Sequence, residues 1–223
     1  PFRDQLIAGV IASYLTPLGV PFNGMALADI APSDRLSELD FEMTLANLSK
    51  GVLASDIGKL LKGSLETDDL LYAYADSLSD SSFDIPLAGL LNGSIDAVIR
   101  VHAEDGSPRL FITDYKTNRL DGDEDVSLIE AYAPERLVAA MEHHHYPLQA
   151  LLYGTAIYRM LRWRQPTMNA DEVIAGIAYF FVRGMVGVES PKDAHDMPYG
   201  VFQWRAPEGL WEKLSNLFAG DRP

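Results

Sequence analysis

Asp96, Asp114 and Lys116 are the residues of this chain whose types and spacing best suit chemistry. Asp114 and Lys116 lie two apart at the end of a stretch, 109–115, that reads as a strand. Strand side chains alternate, so these two share a face. Residues 91–101 read as the preceding strand, and Asp105-Gly106 between them is a hairpin turn signal. In a hairpin centred on that turn, Asp96 falls about opposite Asp114, and directly opposed residues share a face. Two carboxylates and one ammonium would then converge. Adjacent carboxylates repel unless a proton or a cation sits between them. Oxygen ligands without thiols or a histidine cluster favour Mg²⁺ or Mn²⁺ over Zn²⁺. Such an ion polarises a phosphoryl oxygen and acidifies a bound water. A nearby lysine can orient that water and stabilise charge on the phosphorus. This is the chemistry of phosphodiester hydrolysis. Taken alone, an Asp-x-Lys pair at a strand end is more often a surface ion pair of little energetic worth. Asp96 adds weight because it interrupts an apolar strand, with Ile95, Ala97, Ile99 and Val101 on one parity and Asp96, Val98 and Arg100 on the other.

These residues need a scaffold, and the periodicities outline one. Leu6, Val10, Ile11 and Tyr14 mark a helix ending near Thr16-Pro17. Residues 38–45 alternate, with Leu39, Phe41, Met43 and Leu45 on one face, as in a half-buried strand. Residues 45–78 read as helical segments joined by polar loops, and 116–125 as a polar loop. Residues 134–142 and 146–163 read as helices, 173–183 as a buried strand and 201–204 as a shorter one. Leu210, Trp211, Leu214, Leu217 and Phe218 recur at helical spacing, with Pro207 and Glu208 suited to open that helix. No repeat, low-complexity tract or linker interrupts the pattern. Residues 1–223 are expected to form one α/β domain.

Composition sets the outer bounds. The 223 residues carry 18 basic and 32 acidic side chains, a net charge of -14. That balance argues against a free-standing nucleic-acid binder, whose phosphate-binding surface should be basic. No apolar run approaches the ~18 residues of a transmembrane helix. Cysteine is absent, so there is no disulfide and no thiolate metal site, which suits a reducing cytoplasm. The chain opens Pro1-Phe2-Arg3 with no signal pattern, and the expectation is a domain cut from a longer protein.

Several stretches together resemble a family. They are Gly93-Ser94-Ile95-Asp96-Ala97-Val98-Ile99-Arg100, Asp114-Tyr115-Lys116-Thr117-Asn118, and Tyr146-x-x-Gln149-x-x-x-Tyr153. This combination resembles the nuclease domain of RecB-type helicase–nucleases and, more broadly, the PD-(D/E)xK nuclease superfamily. Thr16-Pro17-Leu18, Glu38-Leu39-Asp40-Phe41, Tyr179-Phe180-Phe181-Val182-Arg183-Gly184 and Gly200-Val201-Phe202 extend the likeness over nearly the whole chain. The resemblance implies a restriction-endonuclease-like core, a central mixed β-sheet flanked by helices. It implies Asp96 and Asp114 as carboxylate metal ligands, the Tyr115 backbone carbonyl as a third, and Lys116 as the catalytic lysine. It implies Gln149 and Tyr153 as helix residues facing the site, and their i, i+4 spacing does place them on one helix face. On spacing alone that pair reads equally as a capping amide and a core tyrosine. Mg²⁺, with Mn²⁺ as a substitute, is the implied cofactor. The implied function is exonucleolytic DNA hydrolysis in double-strand break repair and recombination, on single strands delivered by a helicase. The implied partners are RecC-like and RecD-like subunits and a RecA-like recombinase, with no membrane and a cytoplasmic location. The family also uses a histidine ligand upstream of the region matched, and no residue of this chain corresponds to it. Gly58-Lys59 is followed by Leu60, so it is no phosphate-binding loop, and no helicase motor is expected in this stretch. Two other readings compete: a stand-alone endonuclease of the same superfamily, and an inactive nuclease fold used for protein docking or DNA guiding.

The remaining polar clusters read more plainly. His143-His144-His145 are consecutive, point in different directions, and suit a solvated helix end, although one could approach a phosphate path. Asp121, Asp123, Glu124 and Asp125 lack EF-hand spacing and read as a solvated acidic loop. Trp163, Trp204 and Trp211 suit core or partner contacts, while Arg100, Arg119 and Arg183 are candidates for backbone-phosphate contact. An acidic domain fed by a motor need not capture DNA from solution, so weak DNA binding by the isolated chain is expected.

Overall fold

The structure is a computed structural model and describes residues 2–46, 51–81, 86–120 and 127–220. The acidic run 121–126, including Asp121, Asp123, Glu124 and Asp125, lies outside the described residues.

The chain begins with helix α1 (Phe2–Leu15), and short 3₁₀ turns lead to strand β1 (Arg35–Thr44). Strand β2 (Val52–Leu53), helices α2 (Ala54–Lys62) and α3 (Tyr72–Leu78) and strand β3 (Pro86–Leu87) follow. Next come β4 (Leu90–His102) and β5 (Pro108–Lys116), then helices α4 (Pro134–His143), α5 (Tyr146–Arg164) and α6 (Ala170–Val173). Strands β6 (Ile174–Phe181) and β7 (Val201–Trp204) and helix α7 (Leu210–Ala219) close the chain. Five strands form the main sheet in the order β1-β4-β5-β6-β7, and β2 pairs with β3 in a small second sheet. Only β5 and β6 pair in parallel; the other neighbours in the main sheet are antiparallel. The architecture is thus the expected α/β one, a mixed sheet flanked by helices, consistent with a restriction-endonuclease-like core.

The β4–β5 hairpin forms because alternating apolar residues flank a turn in which Gly106 takes φ +79°. That backbone region is cheap for glycine and strained for most other residues. A parallel β5–β6 pair cannot be joined by a tight turn, so the chain must cross over the sheet. Helices α4 and α5 make that crossing. Helix α5 starts with Pro147 in its first turn and ends with Arg162 and Arg164, which suit the two ends of the helix dipole. Its buried residues Pro147, Ala150, Leu151, Gly154 and Tyr158 recur at helical spacing, and the helix packs on both the sheet and α7.

The sheet has two apolar faces. One packs Val98, Ile112, Ile177, Tyr179 and Phe181 against α2, α3, α5 and α7. The other packs Ala97, Ile99, Phe111, Ala178 and Phe180 against Leu18, Phe22, Leu27 and Ile30 from the segment after α1. One expectation is corrected here. Ile95 was expected on the parity of Ala97, Ile99 and Val101, yet it joins the first face while those three join the second. Beside it, Glu38 of β1 has φ +51°, between the pairs Ser37↔Ala97 and Leu39↔Ile95. Both strands therefore bend next to Asp96, and the alternation slips there.

Helix α1 ends at Leu15, as expected. Leu6, Val10, Ile11 and Tyr14 do form a helix, but they are exposed, as are Ile7 and Leu15. Their spacing marks a helix and not a core-facing stripe among the described residues. No helix among the described residues is long and apolar enough to cross a membrane.

Candidate functional site

The site lies where β4 and β5 separate. Their pairing runs from His102↔Pro108 to Ala97↔Thr113 and stops. Beyond that point β4 continues against β1, while β5 continues against β6 to Lys116↔Phe181. The next residues in register, Asp96 and Asp114, stand at the opening of this fork. A strand amide left without a ladder partner must find another acceptor. Tyr115 N–H donates to Asp96 Oδ2 at 2.9 Å. The Asp96 carboxylate thus stands in for a strand carbonyl and spans the gap.

Asp114 and Lys116 share the sheet face covered by α5. Asp114 is 3% exposed, and its Oδ2 lies 2.5 Å from Lys116 Nζ. The contact is a buried ion pair, with the Lys116 ammonium against one carboxylate oxygen. Burial pushes the Asp114 carboxyl above the usual carboxylate range; Lys116 opposes this, and the negative charge of Asp96 adds to it. One ammonium thus faces a buried carboxylate that is electrostatically coupled to a second. The oxygen-only donors suit a hard divalent cation better than a soft one. No group of three His, Asp or Glu side chains able to hold a metal is found among the described residues.

Helix α5 completes the site from above. Gln149 Oε1 accepts from Lys116 Nζ at 3.1 Å and from the Tyr179 hydroxyl at 3.0 Å. Gln149 Nε2 donates to the Tyr153 hydroxyl at 2.9 Å. The i, i+4 spacing therefore yields a bonded pair over the lysine and not a cap. Tyr153 packs edge-on to Phe41 of β1, with centroids 5.7 Å apart. Burial raises the pKa of Tyr153, and the charges of Asp114 and Asp96 add to it. Burial likewise holds Tyr179 well above the usual phenol range, with the same two carboxylates contributing.

The structure thus brings Asp96, Asp114, Lys116, Gln149 and Tyr153 into one neighbourhood. The Tyr115 side chain points to the opposite face, where it packs on Phe180 with centroids 5.6 Å apart. Its backbone is what faces the fork. Two aromatic rings that sequence reasoning gave no role also face the amine: Tyr146 and Tyr179, with centroids 4.0 and 5.1 Å from Lys116 Nζ. Both stood in stretches singled out above. Only the crossover that lays the start of α5 over β6 brings them together.

Among the other candidates, the Arg100 guanidinium pairs with Asp34 at 2.7 Å at the surface. Arg183 donates to the Thr117 carbonyl at 2.7 Å and so pins the loop after Lys116. Arg119 is exposed on that loop. The three histidines diverge: His145 Nδ1 lies 3.3 Å from the Tyr74 hydroxyl, while the His144 ring stacks on Tyr146 at 5.1 Å. Trp211 is fully buried, Trp204 donates to Asp69, and Trp163 is exposed. Gly58 lies inside α2 against the backbone of Ser79, a packing position and not a phosphate loop.

No protein-family model matches the chain. Among characterised proteins it is similar to the RecBCD enzyme subunit RecB of Mycolicibacterium smegmatis, 41% identical over 98% of this chain and 20% of that protein. It is 42% identical to the RecBCD enzyme subunit RecB of Mycobacterium tuberculosis, over 96% of this chain and 19% of that protein. The Escherichia coli subunit of the same name is 29% identical over 95% of this chain and 16% of that protein. Identity of this level over nearly the whole chain is what common descent leaves. The chain belongs to the RecB family and spans about one fifth of the length of the relatives it matches.

Proposed function

We propose that this chain is a metal-dependent DNA nuclease module that hydrolyses phosphodiester bonds as part of a RecBCD-type helicase–nuclease acting in double-strand break repair and recombination. The observation that carries this reading is the fork itself. Buried Asp114 pairs with Lys116 at 2.5 Å, and Asp96 bridges to the next backbone amide. Membership of the RecB family supports the setting, in which RecC-like and RecD-like subunits and single-stranded DNA are the partners, with a RecA-like recombinase downstream.

Asp96, Asp114 and the Tyr115 carbonyl would hold the ion, Mg²⁺ or Mn²⁺. A strand residue's N–H and C=O leave the backbone on the same edge. The Tyr115 N–H points at Asp96, so its carbonyl leaves on that edge too. When bound, such an ion polarises the phosphoryl oxygen and acidifies a coordinated water. The chain's own residues supply the rest. Lys116 presents a fixed ammonium where negative charge develops on the phosphorus. Gln149 spends its carbonyl oxygen on Lys116 and Tyr179 and its amide on Tyr153, which sets the lysine's height above the sheet. Tyr153 accepts from Gln149 and keeps its own proton to donate to a phosphate oxygen. Phe41, Tyr146 and Tyr179 line the surroundings with rings and exclude bulk water, which strengthens each charge interaction.

The test is Mg²⁺-dependent cleavage of single-stranded DNA by the full complex containing this chain, compared with Asp114→Ala. Loss of at least about a hundredfold in rate is expected for removal of a catalytic group. Equal cleavage by the two proteins would overturn the reading and leave an inactive docking or guiding module. Calorimetric titration of Mn²⁺ into wild type and into Asp96→Ala, with weaker binding to the variant, checks the ligand set without activity.

A further inference from the structure

Lysine carries four rotatable side-chain bonds, and holding its ammonium in place costs up to about 2 kcal/mol of rotamer freedom. Hydrogen bonds alone could hold it, but another carboxylate would add negative charge to a site that already has two. An aromatic face attracts a cation through its quadrupole without adding net charge, at distances up to about 6 Å. The Lys116 ammonium has two such faces. Its Nζ lies 4.0 Å from the Tyr146 ring centroid and 5.1 Å from that of Tyr179. The two rings stack on one another with centroids 5.7 Å apart and planes 24° apart. The lysine side chain is 12% exposed, so the attraction is little screened by water.

Both rings are themselves held. Tyr179 is 1% exposed on β6, and its hydroxyl lies 3.0 Å from Gln149 Oε1 and 3.3 Å from the Tyr146 carbonyl. The Tyr146 hydroxyl donates to Asn118 Oδ1 at 3.1 Å, two residues beyond Lys116. The His144 ring stacks on Tyr146 at 5.1 Å. Tyr146 follows His145, whose φ of +53° turns the chain sharply between α4 and α5 and delivers the ring over the sheet.

We propose that Tyr146 and Tyr179 are positioning residues, an aromatic clamp that keeps the Lys116 ammonium beside Asp114 and away from solvent. The clamp rests on the nuclease reading above and deepens it. Tyr146 is its half-buried jaw at a helix start, and Tyr179 is its fully buried one. The clamp supplies attraction but no lone pair, so it holds the amine without competing for its proton.

The experiment uses the full complex with Tyr146→Leu, Tyr146→Phe and, as a reference, Asp114→Ala. Tyr146→Leu removes the ring, and kcat for single-stranded DNA cleavage should fall about tenfold with KM unchanged. Tyr146→Phe restores the ring without the hydroxyl and should recover most of that loss. A second readout needs no activity: the rate at which an amine-acylating reagent labels Lys116, read by peptide mass spectrometry with Lys62 and Lys213 as internal standards. Labelling of Lys116 should rise several-fold in Tyr146→Leu and return towards the wild-type rate in Tyr146→Phe. Unchanged labelling in Tyr146→Leu would overturn the clamp, as would a Tyr146→Phe protein as slow as Tyr146→Leu. If Asp114→Ala cleaves normally, the nuclease reading fails, whereas the labelling result still decides whether the rings hold the amine.

Discussion

Asp114 is the residue on which the site's energetics turn. Burial makes its charged form costly, so the folded protein binds this proton more tightly than the unfolded chain does. The sign follows from linkage. Where the folded state holds more protons, stability falls as pH rises. The loss begins near the ordinary aspartate value of about 3.9 and is complete above the raised folded value. Lys116 offsets part of this without reversing it. In metal-free protein with EDTA, Asp114→Asn should therefore raise the melting temperature at pH 7 and leave it unchanged below about pH 3.5. Thermal unfolding across that range checks both halves. A melting temperature that falls at pH 7 would mean that the pairing with Lys116 outweighs desolvation. A buried carboxylate that destabilises its own fold is the kind of local conflict expected where function, and not packing, chose the residue.

At the level of elements, the site depends on how closely α5 lies against its neighbours. Gly154, about a third of a turn round the helix from the Gln149–Tyr153 stripe, faces α7, and a Cβ there would meet the Trp211 ring at 2.2 Å. Trp211 is 1% exposed and cannot yield. Gly154→Ala gains about 1 kcal/mol of helix propensity. Overpacking should outweigh that gain, for a net cost of about 1–3 kcal/mol by denaturant unfolding. A helix pushed outward carries Gln149 and Tyr146 with it, so cleavage should weaken as stability does. Gly184 shows the same logic beside β6, where a Cβ would come within 2.4 Å of Tyr132. Tyr132 in turn donates to the Asn118 carbonyl and accepts from the Leu120 amide, which braces the loop after Lys116. Glycines at these contacts allow the elements to approach closely enough for the side chains of the site to meet.

Across the whole molecule, the net charge of -14 sets how it meets DNA. Phosphate binding draws its strength from counterion release by lysine and arginine, and this chain has few to offer. Arg100 is engaged with Asp34, and Lys62 with Asp76. The isolated chain should bind single-stranded DNA weakly, with affinity lost as salt rises from 50 to 200 mM on a shallow slope. Fluorescence anisotropy against salt measures this, and a tight, salt-resistant complex would contradict it. The exposed apolar residues of α1, Leu6, Ile7, Val10, Ile11 and Leu15, belong to the same scale, because nothing in the described chain covers them.

Much of the site was legible in the residues. Alternation placed Asp114 and Lys116 on one face, the Asp105-Gly106 turn set the hairpin register, and i, i+4 spacing paired Gln149 with Tyr153. These are local rules of strand, turn and helix geometry, and local geometry is what a sequence states directly. Three things were not legible. The bend at Glu38 and Asp96 depends on two strands yielding together, so Ile95 changed faces against its own parity. The parting of β4 from β5 depends on β1 and β6 each holding one strand, and it turns an ordinary ladder position into a carboxylate fork. The meeting of Tyr146, Tyr179 and Lys116 joins residues 30 and more apart through a crossover. Chemistry-bearing residue types follow from the chain itself. Their burial, and hence the charge they carry and the partners they keep, follows from packing between elements that no periodicity records.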